Sequence, residues 1–347
     1  MSPIARVAGW VRKSVARSVT RLSVAAAVLV GVAGLTPAAE AEPLKIGYSD
    51  WPGWIAWDVA IQKGFFKEAG VEVEFVWFEY GPSMEAFSAG KVDAVNVTNG
   101  DALVTGAGGK PSTAVLLTDF SNGNDMIVGQ PGVDSLKALK GKSVGLEMNF
   151  VEHLLLLKAL EANGMAEGDV KIVNFPTNET PQALASKGVD AIAAWYPVAG
   201  QALTQVAGSK ALFTSKDAPG LIYDVLAVSR ESLASRRDDW KKVVGVWFKT
   251  VDFIENPATR DEAIKIMAAR ANVPPADYAK SLGGTYLLGL KGNLERYKEG
   301  EGLGFVYGSS MVVNAFNVKY GVYKESQDIK TYFDTSLVTE VAGAMKK

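Results

Sequence analysis

The chain has 347 residues, 48% of them hydrophobic, with one histidine, no cysteine and a formal net charge of −2. That length suits about two domains at ~100–200 residues each. The missing cysteines remove disulfides and thiol chemistry, one histidine leaves little but carboxylates to ligate zinc or iron, and an acidic chain with no Lys/Arg cluster is a poor partner for nucleic acid or an anionic membrane.

Arg6, Arg12, Lys13, Arg17 and Arg21 precede an uncharged apolar run from Leu22 to Leu35, and Ala39-Glu40-Ala41 sets small residues two apart. This pattern predicts a secretory signal over 1–41, cleaved on export. The run is shorter than the ~20 residues of a membrane helix, and without cysteine no lipid anchor is expected. Loss of the segment removes five basic residues and one acid, Glu40, leaving a more acidic mature chain.

Leu44–Tyr48 then reads as a buried strand, Trp54–Phe66 as a helix, and the strictly alternating Val71–Trp77 as a second strand, a βαβ unit. The pattern continues with a helix over 84–89, a strand at 92–97, a helix near 102–107 and a strand at 112–117. Ser121-Asn122-Gly123-Asn124-Asp125 breaks the rhythm, and Met126-Ile127-Val128 suits a strand crossing between lobes. The pattern restarts with a strand at 143–146, a helix at 152–163, a strand at 170–175, a helix at 181–186 and a strand at 189–194. Leu221–Val228 reads as the return crossing, and beyond Ser229 the chain reads as helices, Trp240–Glu255 the longest, packed back on the first lobe.

One motif occurs twice. Gly90-Lys91-Val92-Asp93-Ala94-Val95 and Lys187-Gly188-Val189-Asp190-Ala191-Ile192 each close a helix and open a strand, and the strands run into Thr98-Asn99-Gly100-Asp101 and Trp195-Tyr196-Pro197. Two α/β lobes of like design are implied, with a cleft between the carboxyl ends of their strands. The boundaries read as 43–127 with 226–347 for lobe 1 and 128–225 for lobe 2. Asp93 and Asp190 are expected to be structural residues of the strand starts.

Residues 60–71 (AIQKGFFKEAGV), 89–94 (AGKVDA) and 139–145 (LKGKSVG) resemble the periplasmic solute-binding proteins of the nitrate, sulfonate and taurine importer group, which includes a thiamine-pyrimidine branch. The resemblance implies a two-lobed periplasmic binding protein of type II with two crossing strands at the hinge. It also implies a small-molecule ligand held there and delivery to an ABC permease driven by its ATPase. At a finer level Asp50-Trp51-Pro52-Gly53-Trp54 and Thr98-Asn99-Gly100-Asp101 resemble a subgroup linked to urea-carboxylase-like, guanidine-degrading pathways. Members that bind sulfonate-type anions carry a Gly-Ser-Ser/Thr-x-His turn after the first strand of the second lobe, where hydroxyls and amides hold the oxyanion. Here the matching run is Glu147-Met148-Asn149-Phe150-Val151-Glu152-His153, with the glycine and both hydroxyls replaced.

Aromatics and carboxylates dominate the lips of the predicted strands, which suits a guanidinium-type cation: it stacks on indole faces and offers forked donors to carboxylates. The expected ligand-binding residues are Asp50, Trp51, Trp54, Asn99, Asp101, Glu147, Phe150, Trp195 and Asp224. Trp57 reads rather as core, and His153 as a structural hydrogen-bonding residue. The alternatives are a binder of nitrate, taurine or alkanesulfonate and, in another class, a pyrimidine-synthase-like enzyme. Catalysis is disfavoured, since no Gly-x-Ser-x-Gly elbow, phosphate-binding loop or dinucleotide fingerprint occurs. No catalytic residue, metal ligand or cofactor is assigned, and a monomer is expected.

Overall fold

The computed structural model describes residues 42–345; the expected signal at 1–41 lies outside them. Eleven strands form two sheets. The first holds β1 (Leu44–Tyr48), β2 (Val73–Trp77), β3 (Ala94–Thr98), β4 (Ser112–Ser121), β10 (Tyr223–Ser229) and β11 (Thr285–Leu287). The second holds β5 (Asp125–Gly129), β6 (Ser143–Leu146), β7 (Lys171–Asn174), β8 (Ala191–Trp195) and β9 (Lys210–Thr214). Their orders, β2-β1-β3-β10-β4-β11 and β7-β6-β8-β5-β9, correspond strand for strand except for the added edge. In each, three parallel strands meet an antiparallel one that has arrived from the other lobe: β10 beside β3, β5 beside β8. The fold is the two-lobed α/β architecture with two crossings that the sequence implies.

The repeated motif builds the same joint twice. Asp93 accepts a hydrogen bond from the Lys45 amide at the start of β1 and Asp190 one from the Ser143 amide at the start of β6, both 2.8 Å. Each ties the helix–strand turn to the neighbouring parallel strand, so Ile46 pairs with Ala94 and Val144 with Ala191 in equivalent registers. The crossings lie slightly ahead of the expected boundaries. β4 extends through Ser121, β5 belongs wholly to the second sheet, and Tyr223 is already in the first. Ser121 Oγ and Ser215 Oγ, 2.6 Å apart, tie the two crossing segments together.

Differences from the sequence reading have local causes. The helix expected over 54–66 is three short helices, Pro52–Ile55, Trp57–Lys63 and Phe65–Ala69, because Gly64 at φ 73° turns the chain left-handed between the last two. Strand β9 and the helix Val198–Gln205 had no expectation, and β11 interrupts the C-terminal helices as an edge strand on β4. The helix Arg237–Glu255 buries Trp240, Val243, Val244, Trp247, Val251 and Ile254 on one stripe. Trp57 lies 4.6 Å from Trp247 between ring centroids, fully buried, and its indole N–H donates to Asn96 Oδ1. It is a core residue, as expected.

Candidate functional site

A narrow cavity with about 10 Å³ of free volume sits where the carboxyl ends of β3 and β8 face each other. Its walls are aromatic: Trp51 and Trp54 from the turn after β1, Tyr80 from the start of the helix Tyr80–Ser88, and Trp195 from the last position of β8. Trp54 stacks on Tyr80 at 5.5 Å, and Trp195 meets the Tyr80 edge at 5.2 Å. Thr98, Val151 and Ile222 complete the surface around two carboxylates, Asp125 and Asp224. These two acids occupy equivalent places in the lobes. Asp224 pairs with Thr98, the last residue of β3, and Asp125 with Trp195, the last residue of β8. The exchange of antiparallel strands between lobes thus delivers one acid to each side of the cavity.

Both acids have a second one close by. Asp119 faces Asp224 as its register partner across β4 and β10, and Glu152, in the first turn of the helix Val151–Ala162, acts on Asp125. All four are at most 2% exposed. Among the described residues no amide, hydroxyl or basic donor reaches Asp119 Oδ2, Asp125 Oδ2, Asp224 Oδ2 or the Glu152 oxygens; the acids instead meet each other side chain to side chain, Asp119 with Asp224 and Asp125 with Glu152. Asp119 Oδ1 accepts from the Trp51 indole at 2.8 Å. A Cβ on Gly53 would stand 2.1 Å from Asp119 Oδ2, so the Pro-Gly turn needs glycine to lie against that carboxyl. Burial is the main force that raises these acids. Asp125 is pushed up to about 7, helped by the charge of Asp119. Asp224 and Glu152 go well above the usual range, the first raised further by Asp119 and the second by Asp125. Asp119 is also raised. Among the described residues no lysine, arginine or histidine lines the cavity or pairs with these acids.

The sequence-predicted residues divide into three groups. Trp51, Trp54, Trp195 and Asp224 line the cavity. Asp50 and Glu147 border an outer chamber of about 270 Å³ at the mouth of the cleft, with Tyr80, Glu79 and Glu179 beside them. The Trp195 indole donates to Asp50 Oδ1 at 2.9 Å and so ties the lobes together; burial raises Asp50 to about 6 against that bond. Glu147 accepts from Thr177 at 2.9 Å. Asn99, Asp101 and Phe150 stand away from the inner cavity, around a neighbouring gap. Asn99 is taken up by structure, donating to Ser309 and Ser310 and accepting from the Tyr223 amide. Asp101, expected at the ligand, instead accepts from Tyr80 Oη at 2.7 Å and from the Val151 amide at 3.2 Å, and burial lifts it to about 7.

That last bond bears on charge selection. The Val151 amide opens the helix Val151–Ala162, the place where an anion would be held by a helix start, and it is already occupied by a carboxylate of the opposite lobe. His153 lies against Glu167 at 3.3 Å, outside the cavity lining, with burial lowering its basicity. Sequence reasoning missed Asp125, which sits in an Asn-Gly-Asn-Asp run that reads as a turn. Asp119, Tyr80 and Glu152 also lie outside the expected ligand-binding set. The usable signal was the repeat: an acid one strand away from each repeated strand's last residue.

Residues 37–268 match the NMT1-like family. The chain belongs to that family. A binding protein of Brucella abortus is 26% identical over 295 residues, covering 84% of this chain and 90% of its own length. Among solved structures, the periplasmic aliphatic sulphonate binding protein of Escherichia coli superposes with TM-score 0.70 at 19% identity, over 86% of this NMT1-like chain and 99% of the other. The periplasmic nitrate-binding protein of Synechocystis PCC 6803 gives 0.71 at 16% identity, over 88% and 90%. These likenesses establish the two-lobed periplasmic binding protein fold.

The lobes of this NMT1-like protein are also clasped outside the cavity. Glu161 on the second lobe takes a 2.9 Å bond from Tyr320 Oη and pairs with Lys319, both on the first, while Lys158 lies 5.4 Å over the Phe316 ring. The Lys319 bond is the main force holding Glu161 down to about 2. A charge reversal, Lys319→Glu, is expected to open the ligand-free protein, read as a larger radius of gyration in small-angle scattering. An unchanged radius would mean that the clasp does not hold the lobes.

Proposed function

We propose that this protein is the periplasmic substrate-binding component of an ABC-type importer and that its guest is a small, planar, guanidinium-type cation. The fold and the named relatives support the importer role, with a permease and its ATPase as the partners. The observation that carries the ligand reading is the buried pair Asp125 and Asp224, each with an oxygen that no amide, hydroxyl or basic donor reaches, set among four aromatic side chains with no basic side chain lining the cavity. Burying a carboxylate without a counter-charge is costly, so these acids either keep a proton or take up a cation. A guanidinium ion is weakly hydrated and planar, offers donor forks to two acids at once, and stacks on indole. It leaves few hydrogen-bonding demands unmet in so small a space.

The sulphonate and nitrate specificities in the neighbours' names are the competing reading. An anion here would meet Asp125 and Asp224, and the helix-start amide of Val151 is already bonded to Asp101. Capture proceeds by closure: the lobes hinge at the segments tied by Ser121 and Ser215, and the Trp195–Asp50 bond forms as they meet.

The test is a thermal-shift panel on the mature chain at pH 8 with guanidinium, methylguanidine, urea, choline, taurine and nitrate. A native-state ligand at 100 times its Kd adds about 2.7 kcal/mol of stability. Guanidinium-type compounds at low millimolar concentration or below should raise the melting temperature. A shift with taurine or nitrate alone would overturn the cation reading and leave the importer role standing.

A further inference from the structure

The cavity holds more acid than one small cation needs. Asp125 and Asp224 line it, Asp119 and Glu152 stand behind them, and the charge of Asp101, beside the neighbouring gap, acts on Glu152 and Asp224. Glu147 follows β6, and the phenols nearby are Tyr80, bonded to Asp101, and Tyr278, bonded to the Pro52 carbonyl. Among the described residues no basic group from a packed element faces the four acids. Four carboxylates cannot all stay ionised together at 0–2% exposure with oxygens that no amide, hydroxyl or basic donor reaches. A carboxyl group beside a carboxylate resolves the conflict by keeping one proton between them, as paired acids in a dry site do.

We propose that Asp119 and Glu152 are proton-holding partners of Asp224 and Asp125, so that the ligand-free cavity stores protons and an entering cation displaces about one of them to solvent. The inference rests on the cation reading and deepens it. The exchange balances charge: one positive guest enters, one proton leaves, and the protein's net charge is kept. It also defines the guest more narrowly. A neutral molecule such as urea cannot drive out the proton, and a dication would have to remove two. Asp119 and Glu152 need not touch the guest; they are positioning residues that set how readily the lining acids ionise.

The sign of the stability effect follows. Acids raised in the fold above their ordinary value of 3.8 or 4.5 bind a proton that the unfolded chain has already lost. Stability is therefore lost as pH rises from the ordinary carboxylate range through the raised values, about 7 for Asp125. His153, lowered by burial, acts in the opposite sense near neutrality, so the comparison must be between variants. Glu152→Gln keeps the shape and removes one titrating group.

Two measurements on the mature chain test this. Melting of the ligand-free protein from pH 5 to 8 should show the native chain losing stability towards pH 8 relative to Glu152→Gln. Calorimetry with guanidinium chloride at pH 7 in phosphate and in Tris should give different heats, the difference reporting about one proton released, and Glu152→Gln should reduce it. Parallel melting profiles for the two proteins overturn the proposal whatever binds, and so do buffer-independent heats with bound guanidinium. Diverging profiles with no guanidinium response support the stored proton and contradict guanidinium as the guest, which separates this proposal's failure from that of the ligand reading.

Discussion

The double variant Asp125→Asn/Asp224→Asn should bind guanidinium at least ~1,000-fold more weakly than the native chain, yet melt at a higher temperature when ligand-free at pH 8. Removing one partner of a buried, hydrogen-bonded charge pair costs about 2–5 kcal/mol. Two such losses amount to ~4 kcal/mol at the low end, which is about three powers of ten in Kd. The low end is appropriate because Asp119 and Glu152 remain nearby and can ionise in part as substitutes. The opposite effect on stability distinguishes lost recognition from a damaged fold. Burial raises both acids in the folded chain, so at pH 8 their charge opposes folding and an amide of equal shape relieves it. Calorimetry and a melting scan on the same preparation read both quantities. A variant that melts lower and still binds would contradict the role given to these residues.

Trp195→Ala should weaken guanidinium binding by more than ~100-fold and leave a more open protein in solution. Three contacts end at this indole. It forms a wall of the cavity, meets the Tyr80 edge at 5.2 Å, and donates to Asp50 Oδ1 at 2.9 Å across the cleft. A desolvated cation–aromatic contact contributes roughly 2 kcal/mol, and a charge-assisted hydrogen bond ~1.5 kcal/mol or more. Together these come to about 3.5 kcal/mol, which is more than two powers of ten. Trp195→Phe should recover the wall but not the bond to Asp50, and so fall between. If Trp195→Ala bound as tightly as the native chain, the cavity would not be the capture site.

Much of the fold was legible because it is carried by local pattern. The alternation of Val71–Trp77, the uninterrupted apolar run in β4 and the duplicated Val-Asp-Ala steps each specify a strand and its burial. The duplication even revealed the joint that Asp93 and Asp190 make. The site was legible only in part, because its decisive feature depends on pairing between strands distant in sequence. Asp125 sits in a turn-forming run, and nothing local tells that its neighbour in space is Trp195. Asn99 and Asp101 looked alike as ends of one motif, but the helix Val306–Lys319 supplies the serines that claim Asn99. Asp101 is drawn across the cleft by the Val151 amide. Such partners come from tertiary packing, which periodicity does not encode.

Calorimetric titration of the mature chain at pH 8 with guanidinium chloride, taurine and nitrate compares the two signs of guest in one cavity. Saturable one-to-one binding of guanidinium with no heat from either anion is the predicted result. Tight binding of taurine or nitrate, with guanidinium inert, would contradict a cavity whose buried acids await a positive charge.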